Sequence, residues 1–260
     1  MKAALRYTLF GMALAGLLFA CIAIYISASD QRHLKTCEVL KVEYADSLRF
    51  VSEAQVRKTL EERYGAFLGQ RIDSVDLCRI ERILDESSAV KKSEAFMTPD
   101  GTLHVCISQR EPRIAFTLKD ASFYADIQGY LFPVKGELIQ GVPTVSGNLP
   151  LKCQAGHKGP AASPREQKWV EAMIAMTSYL SYSKAWKGTF KSFTVRDDGN
   201  LVLVPAEGSE QFIFGDPFDY SSKLHRVSEY YKKIKPAEPD KTYRSVNVKF
   251  EGQIICRTKL

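Results

Sequence analysis

The chain has 260 residues, 45% hydrophobic and 25% charged, with a formal net charge of +6. These are the values of a folded body with room for two domains, each with its own core. The positive balance does not mark a nucleic-acid or anionic-lipid surface, because the basic residues are interleaved with acidic ones. Arg57-Lys58 is followed by Glu61-Glu62, and Arg196 by Asp197-Asp198, so no block of like charge forms.

Residues 7–26 carry no charge, and such a run of about 20 residues is the length of one membrane-crossing helix. Nothing later repeats it. A cleaved secretory signal has a shorter apolar region, of about 7 to 15 residues, although Ser27-Ala28-Ser29 fits a cleavage site. Leu18-Phe19-Ala20-Cys21 resembles a lipobox, but Phe19 is bulky for that motif and Ile22 to Ile26 extends the apolar run where a lipoprotein turns polar. The retained helix is the reading that accounts for the whole run. It implies a tail of residues 1–6 in the cytoplasm, an anchor at 7–26 and a body on the outer side of the membrane. The positive-inside bias behind that orientation is slight, with Lys2 and Arg6 facing Arg32 and Lys35.

Beyond Cys21 stand Cys37, Cys78, Cys106, Cys153 and Cys256. An odd number leaves at least one thiol free or paired between chains, and the spacing contains no C-x-x-C. Cys106, between Val105 and Ile107, reads as a small strand residue.

Residues 38–44 read as a strand, with Val39, Leu40 and Val42 apolar. Ser52-Glu53-Ala54-Gln55 is a capping box that opens a helix, Val56 and Leu60 form its buried stripe, and Gly65 stops it. A second helix is expected over 74–86, capped by Asp73 or Ser74, with Leu77, Ile80, Ile83 and Leu84 on one face. Residues 90–97 lead into the turn Pro99-Asp100-Gly101, and Leu103, Val105 and Ile107 alternate on the return strand. Strand, helix, helix, strand, strand describes two helices on one face of a three-stranded sheet.

That order, directly behind one anchor, resembles the POTRA domain of the bacterial cell-division family FtsQ/DivIB. Gln109-Arg110-Glu111-Pro112-Arg113-Ile114-Ala115 is similar to the family's strand exit. In the stretch from Tyr124 to Pro133, Asp126 and Gly129 bracket a hairpin turn as they do in the family, and Val142-Pro143-Thr144-Val145-Ser146-Gly147 resembles the short strand that follows. The resemblance runs from Val39 to nearly the end of the chain. Its motifs are weak singly and specific in their order.

The second unit continues with a Gly, Pro and Ala-rich loop over 156–162, expected to be mobile. Ser163-Pro164-Arg165-Glu166 starts a helix whose stripe of Trp169, Val170, Met173, Ile174, Thr177 and Leu180 is read as core-facing rather than membrane-facing, because the opposite face is not strongly basic. A hairpin turns at Asp197-Asp198-Gly199-Asn200, a strand over 211–214 breaks at Gly215-Asp216-Pro217, and a helix from Tyr220 buries Leu224, Val227, Tyr231 and Ile234. Final strands are expected over 243–250 and 253–258, divided by Glu251-Gly252. The fold class is therefore α+β: a single N-terminal transmembrane helix, a POTRA-like β-α-α-β-β domain over 38–110, and a mixed, mostly antiparallel β domain with flanking helices over 111–258.

No motif marks catalysis. There is no G-x-S-x-G, no phosphate-cradling glycine loop and no H-E-x-x-H. His33, His104, His157 and His225 lie far apart, and the Cys153–His157 offset supplies only two metal ligands, so no catalytic residue, metal or cofactor is assigned. Binding remains. Val246, Val248 and Phe250 alternate with polar residues near the C-terminus, where an edge strand invites a partner strand. The resemblance implies that this region recruits small bitopic division proteins of the FtsB and FtsL type, with further division proteins meeting the POTRA-like domain. On that basis Val248 and Phe250 belong to the partner-binding strand, Phe250 as its aromatic position, and Gly252 is the following turn. Gln253, Ile255 and Arg257 join them by alternation. The aromatic residue that enterobacterial members of the family often carry near the end of the last strand is replaced here around Cys256-Arg257, so partner details are expected to differ. The resemblance implies a non-enzymatic scaffold in the inner membrane, its body periplasmic and enriched at the division site, with no nucleic acid bound. Two other classes stay open: an outer-membrane assembly or secretion component, since POTRA units serve there too, and a membrane-tethered hydrolase assembled from distant residues.

Overall fold

The computed structural model describes residues 16–23, 35–48, 50–134, 136–239 and 241–258. Residues 16–23 are helical, with Leu17, Leu18, Phe19 and Ile22 exposed. No helix among the described residues is long and apolar enough to cross a membrane. The expected tail, both ends of the apolar run and Ser27-Ala28-Ser29 lie outside the described residues. From residue 35 onward the chain forms two compact units that divide between Arg110 and Glu111.

The first unit runs β1 (Val39–Tyr44), α1 (Glu53–Arg63), α2 (Leu77–Asp85), β2 (Val90–Met97) and β3 (Thr102–Gln109). Its sheet has the order β1-β3-β2, with β1 parallel and β2 antiparallel to the central β3. The capping box is in place: Ser52 Oγ accepts the Gln55 N–H at 3.3 Å and Gln55 Oε1 accepts the Ser52 N–H at 3.0 Å. The second helix is shorter than expected. Asp76 caps it, taking the Arg79 N–H at 2.9 Å, whereas the Ser74 hydroxyl donates to the Arg71 carbonyl and belongs to a preceding turn. Val56 and Leu60 of α1 and Ile80, Ile83 and Leu84 of α2 meet Leu103, Val105 and Ile107, one face of β3, in a single core. Buried Gln109 then holds the β1–α1 connection: its Oε1 accepts the Phe50 and Val51 N–H groups, and its Nε2 donates to Asp46 Oδ1 and the Leu48 carbonyl.

In the second unit come β4 (Ile114–Thr117), β5 (Ser122–Ala125), β6 (Leu131–Pro133), β7 (Thr144–Gly147), α3 (Pro164–Tyr182), β8 (Phe190–Val195), β9 (Leu201–Pro205), β10 (Gln211–Gly215), α4 (Tyr220–Glu229), a π-helical turn (Tyr230–Ile234), the short α5 (Lys235–Ala237), β11 (Tyr243–Asn247) and β12 (Ile255–Thr258). Nine strands form one sheet in the order β12-β11-β10-β9-β8-β7-β4-β5-β6. Three of its pairings are parallel, β4 with β7, β7 with β8 and β10 with β11, and the remainder are antiparallel. Helix α3 packs its stripe into the main core, with the Trp169 and Phe116 ring centroids 5.7 Å apart. The stripe is thus a core face, as periodicity indicates.

The 156–162 loop is tied to β6 and α3: the Gly159 N–H donates to the Leu131 carbonyl, the Leu131 N–H donates to the Gly159 carbonyl, and Gln167 Oε1 takes the Ala161 N–H. One expectation is corrected here. The helix from Tyr220 does not keep an α-helical face to Ile234. A π turn widens it, so that Tyr230 is fully buried while Tyr231 and Ile234 are only partly so.

Gly147 ends β7 at φ +99°, and a Cβ built there would stand 2.1 Å from the Val195 carbonyl oxygen of β8. The parallel β7–β8 pair therefore closes only over a residue without a side chain. Gly147→Ala should cost at least about 3 kcal/mol in urea unfolding, combining left-handed strain with a backbone clash.

Candidate partner-binding edge

The C-terminal residues build this region from the core outward. Tyr243 and Val246 of β11 point into the core, and Val248 follows them, fully buried, its N–H donating to the Ile213 carbonyl of β10 at 3.0 Å. Val248 is therefore a core residue whose side chain and amide are both engaged, which corrects its assignment to an exposed binding strand. The strands are also shorter than expected. β11 ends at Asn247 because its side chain turns back to take the Lys249 N–H at 3.0 Å, an Asx turn that ends the pleat. Phe250 consequently lies in the connection between the strands, 46% exposed, with Lys249 Nζ 5.5 Å from its ring centroid. Gly252 makes the turn at φ +69°, and Gln253 is exposed beside it.

In β12 the alternation of faces is clear. Cys256 stands opposite Val246 and packs on the core, and burial pushes its thiol pKa up. Ile255, opposite Asn247, and Arg257, opposite Ser245, point the other way and are exposed. Phe250, at the strand connection, and Ile255 on the outward face are both exposed apolar side chains, while Lys249 and Arg257 supply positive charge beside them.

What holds this edge is aromatic. Phe212 of β10 lies 5.5 Å from Tyr230 and 5.6 Å from Tyr231 between ring centroids, and Tyr230 lies 6.1 Å from Tyr243. Burial, with the Glu210 carboxylate beside them, pushes the hydroxyls of Tyr230 and Tyr231 well up. Tyr243 donates its hydroxyl to the Glu238 carboxylate, and that bond pushes it up to about 12. Arg226 of α4 adds a clamp, its Nε donating to the Val248 carbonyl at 2.8 Å. Neither Arg226 nor Tyr230 is marked by any motif. The only signal for them in the sequence is the helical spacing of α4, which the π turn breaks.

The two ends of the nine-stranded sheet differ. At β6 the Gly159 bridge occupies Leu131, and Pro133 closes the strand without a donor. At β12, among the described residues, nothing hydrogen-bonds to the outer side.

Elsewhere, a crevice of about 1260 Å³ opens at the carboxyl ends of β4, β7 and β8, lined by Thr117, Ser146, Asn148, Cys153 and Arg196 among others and by no histidine. Burial raises the Cys153 thiol, and His157 Nε2 lies 2.9 Å from the Pro160 carbonyl oxygen. No group of three or more metal-ligating side chains occurs among the described residues.

The family model "FtsQ/DivIB, C-terminal related" matches residues 112–257, more than half of the chain, and the "POTRA-like domain" model matches residues 35–108. The chain belongs to the FtsQ/DivIB family. Both matched families are of non-catalytic division or scaffold domains. A search of the curated proteins found no match. The family match extends through Phe250, Ile255 and Arg257 to the penultimate residue of β12.

Two outcomes follow for this edge. Arg226→Ala should speed amide hydrogen exchange across residues 248–254 more than elsewhere in the unit, at a global cost of about 1 to 2 kcal/mol. A group whose folded pKa lies above its unfolded value stabilises the fold below that unfolded value, about 10 for tyrosine, and ceases to do so as the pH rises. In an alkaline titration Tyr243 should ionise only near pH 12, with loss of strand signal accompanying the late tyrosinate absorbance.

Proposed function

We propose that the chain is a non-enzymatic scaffold of the bacterial division machinery that takes a partner strand on the outer side of β12. One observation carries the reading: among the described residues nothing hydrogen-bonds to the outer side of β12, where Phe250 and Ile255 are exposed, whereas the opposite edge of the same sheet is closed by Gly159 and Pro133. An unprotected edge is a template for strand addition, and exposed apolar side chains beside it supply pockets and anchors for alternate residues of the incoming strand. The partners are small bitopic division proteins of the FtsB and FtsL type. Phe250, Ile255 and Arg257 meet them directly, Gly252 and Gln253 shape the approach, and Val248 acts from beneath by holding the connection to β10.

The uncharged run at residues 7–26 supports single-pass anchoring in the inner membrane, N-terminus in the cytoplasm and body in the periplasm, enriched at the division site. Anchoring would hold the edge near the membrane surface from which bitopic partners also emerge. The first unit offers a further surface for other division proteins.

Charge placed on the edge tests the reading. Phe250→Glu or Ile255→Glu should lower recovery of the small bitopic partners in pull-downs at least tenfold, about 1.4 kcal/mol, while stability changes by no more than about 0.5 kcal/mol. Undiminished recovery from both variants would overturn the edge assignment.

A further inference from the structure

The first unit also has an outer strand, β2, and its edge is occupied by carboxylates. The Ser93 N–H donates to Asp85 Oδ1 at 2.6 Å, and the Ala95 N–H donates to Glu81 Oε1 at 2.7 Å. The Ser93 hydroxyl reaches the same Asp85 oxygen at 2.8 Å and the Glu81 carbonyl at 3.1 Å. The spacing explains the fit. Four residues of helix rise about 6 Å and two residues of strand about 6.8 Å, so Glu81 and Asp85 keep step with alternate donors of β2. Bonds from N–H to an ionised carboxylate are among the strong ones, roughly twice a neutral pair.

Those two donors are the ones a neighbouring strand would use. Suppose β2 pairs antiparallel with β2 of a second copy, Ser93 facing Ser93 across a two-fold axis. Lys92 of each chain then stands opposite Glu94 of the other, on the exposed face of the sheet. Shifting the register by two residues sets Lys92 on Lys92 or Glu94 on Glu94. Cross-strand pairs of opposite charge stabilise by about 0.2 to 1 kcal/mol and like charges destabilise, so β2 is self-complementary in one register.

We propose that Glu81 and Asp85 guard the β2 edge, denying it to a second copy of this chain. The guard belongs to the first unit and does not depend on partner binding at β12.

Sedimentation of the full chain in detergent tests it. Glu81→Ala combined with Asp85→Ala should strengthen self-association at least tenfold over the unsubstituted chain. Glu81→Gln with Asp85→Asn, which keeps an acceptor oxygen at each place, should not. Adding Glu94→Lys to the double alanine variant sets lysine against lysine across the axis and should abolish the gain. A folded double alanine variant that associates no more than the parent overturns the proposal, as does a gain that survives Glu94→Lys. If the double variant fails to fold, amide exchange in Glu81→Ala alone decides: the Ala95 amide should exchange at least tenfold faster, and an unchanged rate overturns the guard.

Discussion

An open sheet ends in two strands whose outer N–H and C=O groups have no neighbour, and the behaviour of this chain turns on how each such row is treated. At β6, the loop that carries Gly159 supplies a two-bond bridge. At β2, carboxylates from α2 take the donors of Ser93 and Ala95. At β12, among the described residues, no such cover exists. One end of the nine-stranded sheet is thus sealed, and among the described residues the other is not.

Availability alone does not make a binding edge, since an unsupported terminal strand frays. β12 is held by β11, and β11 by a parallel pairing to β10 that Val248 extends by one more bond. Beneath them lies the cluster of Phe212, Tyr230, Tyr231 and Tyr243, with Arg226 fixing the start of the connection. The π turn lies within this cluster, with Tyr230 buried and Tyr231 against Phe212. Rigid support under an exposed strand lowers the ordering cost of docking.

Much of the architecture was legible in the residues. The capping box at Ser52, the Ser163-Pro164 helix start, the alternation of Leu103, Val105 and Ile107 and the glycine turns act over a few residues, so local chemistry announces them. The misread boundaries were settled by competition between neighbouring groups. Asp76 and Ser74 both suit a cap, and Ser74 is drawn off by the Arg71 carbonyl. Asn247 ends β11 by bonding Lys249, although the alternation of apolar residues runs on to Phe250. Of the candidate site, Phe250, Ile255 and Arg257 are exposed beside the edge, Gly252 forms the turn, and Val248 passes to the core, because a strand's period tells alternate faces apart but not which face is covered.

The sequence by itself determined the uncharged run, the β-α-α-β-β order of the first unit, the helix that lies on the second sheet and the family, because each rests on spacing along the chain. Tertiary structure alone decided which sheet edges are sealed. Gly159 meets Leu131, and Glu81 meets Ala95, only once elements distant in sequence pack together, and whether a backbone donor is left for a partner depends on that meeting.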